Sequence, residues 1–103
     1  MSLLFVSRHP GAREWAREEG IAVDVWVDHL ELDRVQPGDQ VLGTLPVHTA
    51  AAICERGARY FHLALDLPAS ARGRELSADD LRRFGARLTC YQISLVDQAP
   101  GSA

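Results

Sequence analysis

Twice in this chain an apolar run rich in strand formers passes through a short turn into a helix opened by proline, and this limits the fold more than anything else. In the first case Leu3-Leu4-Phe5-Val6 breaks at Ser7, and a helical pattern begins after Pro10. Ala12, Trp15 and Ala16 recur at i, i+3 and i+4, so Trp15 packs that helix onto the strand. In the second, a short strand from Gln40 to Thr44 leads through Gly43 to Pro46 and a helix reaching about Arg56. Its apolar stripe reads Val47, Ala50, Ala51 and Cys54. Proline at a helix start sacrifices nothing, because the first amides have no partner inside the helix. A strand followed by a helix returns to the sheet as a crossover, which makes the pairing parallel.

The remaining segments fit the same plan. Gly20 is a helix stop, and residues 21–28 alternate, with Ile21, Val23, Val25 and Val27 on one face and Asp24, Trp26 and Asp28 on the other. That pattern predicts a strand at a sheet edge. Residues 29–36 hold a weak helical turn with Leu30, Leu32 and Val35 apolar, and Pro37-Gly38-Asp39 is a turn into the next strand. Gly57 ends the second helix, and Arg59 to Leu65 is a fourth strand apolar enough to be covered on both faces. Asp66 to Glu75 is an exposed loop. Ser77 then caps a third helix, with Asp80 completing a Ser-x-x-acid box and Leu76 placed to staple against Leu81. Residues 89–96 favour a last strand, and Gln98 to Ala103 a disordered tail. The expected architecture is one α/β domain over residues 1–97: an open, mainly parallel sheet of four to five strands with three helices. Right-handed crossovers give the order 2-1-3-4. The topological switch then lies between strands one and three, where such sheets bind ligands beyond their carboxyl ends.

A formal charge of −3 argues against a general nucleic-acid binder and against a partner such as duplex DNA, but leaves room for a small anion held by a few local cations. No apolar run approaches the roughly 18 residues of a membrane span, and no cationic leader precedes the first strand; a cytoplasmic protein is expected. Cys54 and Cys90 stand in apolar stretches without metal-ligand spacing, and are expected to be reduced core residues. The sequence therefore predicts no metal site and no cofactor.

The switch selects two turns. Ser7-Arg8-His9-Pro10-Gly11 places a guanidinium and an imidazole beside helix amides and the positive end of a helix dipole, a seat for an anion. Gly43-Thr44-Leu45-Pro46-Val47-His48 repeats the chemistry, with a glycine that admits close approach, a hydroxyl, and a histidine off the apolar stripe. A plainer reading also fits: Ser7 caps a turn, Arg8 is a solvated charge, and both histidines are unremarkable. The matched pair is what points beyond it.

Ser7-Arg8-His9-Pro10-Gly11-Ala12, Gly43 to His48, Glu55-Arg56-Gly57-Ala58-Arg59-Tyr60, Leu65-Asp66-Leu67-Pro68 and Arg72-Gly73-Arg74-Glu75-Leu76-Ser77 together resemble a small CRISPR-associated family of type III systems. It is the sixteenth of the "Csx" series, and the resemblance runs from about residue 3 to 88. It implies a Rossmann-like protein acting in antiviral defence on cyclic oligoadenylates, usually cyclic tetra-adenylate. It further implies a ring nuclease, which linearises that messenger and switches off the response. The residue roles that follow rest on this sequence.

Cleaving a ribose phosphodiester needs no external nucleophile, because the 2′-hydroxyl adjoins the phosphorus. The protein has to align that oxygen with the leaving oxygen and stabilise charge on the phosphorane. Arg8 and the amides near Gly11 suit the second task, and His9 or His48 can move the proton. No metal is required by this route. Ser7, Gly11, Gly43, Thr44 and Asp66 are candidate ligand contacts, and Arg72 and Arg74 could close over the phosphates. A two-fold homodimer would match a two-fold ring too wide for one subunit. Alternatives are a binding protein that sequesters the messenger without cutting it, and an interaction module. Arg8-His9 also resembles the Arg-His-Gly of histidine phosphatases, but Pro10 replaces the glycine and the chain is short for that fold.

Overall fold

The computed structural model describes residues 1–97; the expected disordered tail, residues 98–103, lies outside the described residues. The chain runs β1 (Leu3–Val6), α1 (Pro10–Glu18), β2 (Val25–Val27), a 3₁₀ turn (Leu32–Arg34), β3 (Gln40–Gly43) and α2 (Val47–Glu55). It continues with β4 (Arg59–Ala64), a second 3₁₀ turn (Ala69–Ala71), α3 (Ala78–Arg83) and β5 (Arg87–Tyr91). The five strands form one sheet in the order β2-β1-β3-β4-β5. β1 to β4 are parallel, and β5 is antiparallel to β4. This is the expected Rossmann-like open sheet with three helices, and its switch falls between β1 and β3.

Two cores follow from the alternation of side chains across the sheet. Phe5, Leu42 and Leu63 point to the α1 and α3 face, where they meet Ala12, Trp15, Ala16, Ala78 and Leu81. Val6, Val41 and Tyr60 point to the other face and meet Ala50 and Ile53 of α2, together with Val35. Burying an aliphatic or aromatic side chain of this size contributes about 1.5–3 kcal/mol, so both faces are needed to hold a sheet of such short strands. Asp39, buried at the foot of β3, accepts hydrogen bonds from the Gln36 and Ser2 amides, each at 2.9 Å. The Gln36 amide first, then that of Ser2, holds its carboxyl below the ordinary carboxylate range. At α3 the Ser77–Asp80 capping box forms in both directions, as its spacing predicts.

The last strand begins earlier than the expected 89–96 and runs against its neighbour. The Asp66 amide donates to the Phe84 carbonyl at 2.8 Å, which brings the end of α3 back to the end of β4. β5 therefore starts beside Ala64, in register with Arg87, and has only the antiparallel direction open to it. The residues expected to alternate over 21–28 form a ladder only at Val25–Val27. Upstream, both the Asp24 amide and its carboxylate are bonded to Leu3, at 2.9 and 2.7 Å, and the Val23 amide folds back on Ile21. The predicted single face is split as a result: Ile21 and Val23 pack with the α1 side, Val27 with the α2 side.

Of the expected α2 stripe Ala50 is buried and Cys54 packs half-buried against the same core, but Val47 is 68% exposed and Ile53, off the stripe, is fully buried. Val47 is the first residue of α2, four positions past the end of β3 at Gly43. Cys54 is half-buried and Cys90 is exposed on the edge strand, so the expectation of two core cysteines fails for Cys90; both are free thiols. Among the described residues no helix is long and apolar enough to cross a membrane.

Candidate functional site

A cavity of about 670 Å³ opens at the carboxyl ends of β1, β3 and β4. Its floor is apolar, formed by Phe5, Leu63, Leu65, Leu76 and Leu81. The turn after β1 supplies Ser7, Arg8 and His9 to its rim, and the turn after β3 supplies Gly43, Thr44 and Leu45. Asp28, at the end of β2, and the loop from Gly73 to Leu76 complete the wall.

The first turn is held by bonds to β2, within itself and from Arg13. The Ser7 amide donates to Val27 O at 3.0 Å, and the Ser7 hydroxyl accepts from the His9 amide at 3.1 Å. Arg13, one turn into α1, donates to Ser7 O at 2.9 Å and to the Asp28 carboxylate at 2.6 Å. With that carboxylate occupied, Arg8 is left facing the cavity, and it forms no salt bridge among the described residues. His9 gives α1 no side-chain cap, and its Nδ1 lies 3.6 Å from Glu75 Oε1, both side chains being about two-thirds exposed. A pair so open to water and beyond hydrogen-bond distance contributes little stability.

Gly11 and Gly43 have packing reasons of their own. A Cβ on Gly11 would sit 1.9 Å from Leu76 O, so the start of α3 rests directly on α1 there. One on Gly43 would sit 2.8 Å from Val6 O. The Thr44 hydroxyl donates to Leu63 O at 2.9 Å, which leaves only its lone pairs for a ligand.

Ser7, Arg8, His9, Gly43, Thr44 and Arg74 thus meet at one cavity. Gly11, His48, Asp66 and Arg72 are not among the residues that line it. His48 is exposed on the first turn of α2, and Arg72 is exposed in the loop after β4. Asp66 is engaged by Arg87 at 3.2 Å across the β4–β5 end. Arg74 also lies 3.8 Å from the Asp80 carboxylate. That carboxyl is held below its ordinary range by the Ser77 amide first, with Arg74 and Arg83 adding to the effect.

Residues 4–94 match the model of a family described as "Putative CRISPR-associated protein (Cas_VVA1548)". The chain belongs to this CRISPR-associated family. No curated protein and no solved structure gives a significant match.

In this CRISPR-associated chain several site residues carry no signal of their own in the sequence. Glu75 is one acid among fourteen acidic residues, and only the fold brings it opposite His9. Asp28 could have been found as the residue ending the strand beside β1. Behind the second turn lies Tyr60, whose phenol takes the Leu45 amide at 2.9 Å and is 2.6 Å from His62 Nδ1. Burial pushes its pKa up, against the lowering effect of the Leu45 amide.

Proposed function

We propose that this CRISPR-associated protein binds cyclic oligoadenylate, with cyclic tetra-adenylate the first ring to test. It linearises the ring by attack of a ribose 2′-hydroxyl on the adjacent phosphodiester. The observation that supports this most is the convergence of two loop-borne clusters, Ser7-Arg8-His9 and Gly43-Thr44-Leu45, on one cavity with an apolar floor and a cation, Arg8, that has no ion-pair partner among the described residues. An apolar floor suits a base, and an unpaired guanidinium at a helix start suits a phosphate. In this reading Arg8 holds the reacting phosphate, and His9, steadied by Glu75, moves a proton. The chain's resemblance to a ring-nuclease family and its place in a CRISPR-associated family support the choice of ligand.

A sequestering protein is the second reading. It is favoured by the position of His48 outside the cavity lining, which leaves His9 as the imidazole at the site. Incubation with cyclic tetra-adenylate in EDTA, followed by product separation, divides the two. Cleavage predicts linear products with a 2′,3′-cyclic phosphate or 3′-phosphate and a 5′-hydroxyl. Tight binding of an unchanged ring selects sequestration, and activity restored only by magnesium or manganese rules out the metal-independent route.

A two-fold homodimer belongs to the same proposal, because a ring with four phosphates needs the two turns presented more than once. Light scattering at micromolar concentration is expected to give twice the mass of the 11.3 kDa chain. A monomer both with and without ligand removes the symmetric arrangement.

A further inference from the structure

The turn after β3 rims the cavity, yet it is fastened from the opposite face of the sheet by side chains that do not line the cavity. Tyr60 is 1% exposed. Its hydroxyl receives the Leu45 amide at 2.9 Å, lies 3.2 Å from Gly43 O, and lies 2.6 Å from His62 Nδ1. A phenol has one proton to give and two lone pairs to receive with. All three contacts become hydrogen bonds in only one arrangement of a neutral histidine. The Leu45 amide and an Nδ1–H of His62 donate to the phenol oxygen, and the phenol proton goes to the Gly43 carbonyl. With the hydrogen on Nε2 instead, Tyr60 has to give its proton to Nδ1. The 3.2 Å contact with Gly43 O is then two oxygens with no proton between them.

Among the described residues His62 Nδ1 hydrogen-bonds to Tyr60 and to no other group. The His62 ring meets the edge of Tyr91 from β5, with centroids 6.2 Å apart, and lies opposite Thr89 in register. The Cys54 thiol of α2 is turned to Tyr91 O at 3.7 Å, and His62 forms no salt bridge among the described residues.

We propose that neutral His62 is held as the Nδ1–H tautomer, and that Tyr60 and His62 act together as positioning residues for the Gly43–Leu45 turn. The Thr44 hydroxyl, bonded to Leu63 O at 2.9 Å, fastens the same turn from within, so β4 grips it at two points. The functional half of this proposal rests on the cavity being the nucleotide site. The tautomer half does not.

The test is long-range proton–nitrogen NMR of the histidine rings in the ¹⁵N-labelled chain, at about pH 8, well above the ordinary imidazole range. His62 is expected to show a protonated Nδ1 and a bare Nε2, the reverse of the form that predominates for free imidazole side chains in water. A His62 with its hydrogen on Nε2 overturns the proposal without any variant being made. Tyr60→Phe keeps the ring and removes only the hydroxyl. It is expected to speed hydrogen exchange of the Leu45 amide roughly ten- to a hundred-fold, with His62 reverting toward Nε2–H. Unchanged Leu45 exchange in a folded variant also overturns the latch. With cyclic tetra-adenylate, the positioning role predicts that Tyr60→Phe weakens binding and slows single turnover together. A wild-type rate and affinity in that variant refute the functional half. If the native chain neither binds nor cuts the ring, the nucleotide reading falls while the NMR result stands.

Discussion

Replacing Gly11 by alanine is expected to lower the melting temperature by roughly 10 °C or more, although alanine is the better helix former. The helix-propensity gain is at most about 1 kcal/mol. Against it stands a Cβ placed 1.9 Å from Leu76 O and 2.9 Å from Leu76 C. These are backbone atoms at the start of α3, and the Ser77–Asp80 capping box pins that start in place. A flexible side chain could swing aside; a capped helix start has to move as a unit. Overpacking of this kind costs about 1–3 kcal/mol in an ordinary core and more against backbone, so a net loss of about 2 kcal/mol is expected. For a domain of this size each kcal/mol moves the midpoint by roughly 4–8 °C. Because Leu76 and Glu75 also wall the cavity, the same variant should disturb ligand binding. Thermal unfolding followed by circular dichroism decides the matter, and a midpoint equal to or above that of the native chain refutes the close α1–α3 contact.

His9→Ala is expected to lower the single-turnover rate on cyclic tetra-adenylate by roughly 10²–10⁴ while leaving affinity close to native. Arg8→Ala should behave differently. A phosphate contact made in both ground and transition states costs about 1.5–3 kcal/mol when lost, one to two decades in affinity, with the rate falling as well. His48→Ala is the internal control. Its residue is exposed on α2 and lines no part of the cavity, so rate and affinity should stay within a few-fold of native. Single-turnover kinetics beside equilibrium binding, with circular dichroism to verify folding, separates the three. Native cleavage by His9→Ala would leave alignment and the Arg8 charge as the whole of catalysis and refute the proton-transfer role. A large loss in His48→Ala would show that the second imidazole reaches the ring, across a dimer interface or by movement of α2.

The elements most legible in the sequence were those whose signal is local. Pro10 and Ser77 mark helix starts because capping is decided within one turn, and the α1 stripe of Ala12, Trp15 and Ala16 is buried as its period predicts. The α2 stripe holds at Ala50 and Cys54 but not at Val47, because period alone cannot say which turn of a helix has core beneath it. The alternation over 21–28 likewise promised a full strand. The bonds of Asp24 to Leu3, which shorten β2, join residues 21 apart in the chain.

At the site the division is similar. Arg8, His9, Gly43 and Thr44 could be singled out because strand–turn–helix order and crossover handedness place the ends of β1 and β3 together. Ligand approach was the sequence reason for Gly11 and Gly43. The contacts with Leu76 O and Val6 O provide a packing reason that no local pattern reveals.

By itself, then, the sequence determined the α/β class, the strand order 2-1-3-4, the capped start of α3 and the pair of turns at the switch. Each of these follows from short-range periodicity, capping or the handedness of a single crossover. Tertiary structure alone decided that β5 runs antiparallel, that His48 is not among the residues lining the cavity while Glu75 meets His9, and that Tyr60 bonds the second turn from behind. Those outcomes depend on hydrogen bonds and contacts between residues far apart in the chain, such as Asp66 with Phe84 and Leu45 with Tyr60. Such pairings are set by closure of the whole sheet, so no window of sequence contains them.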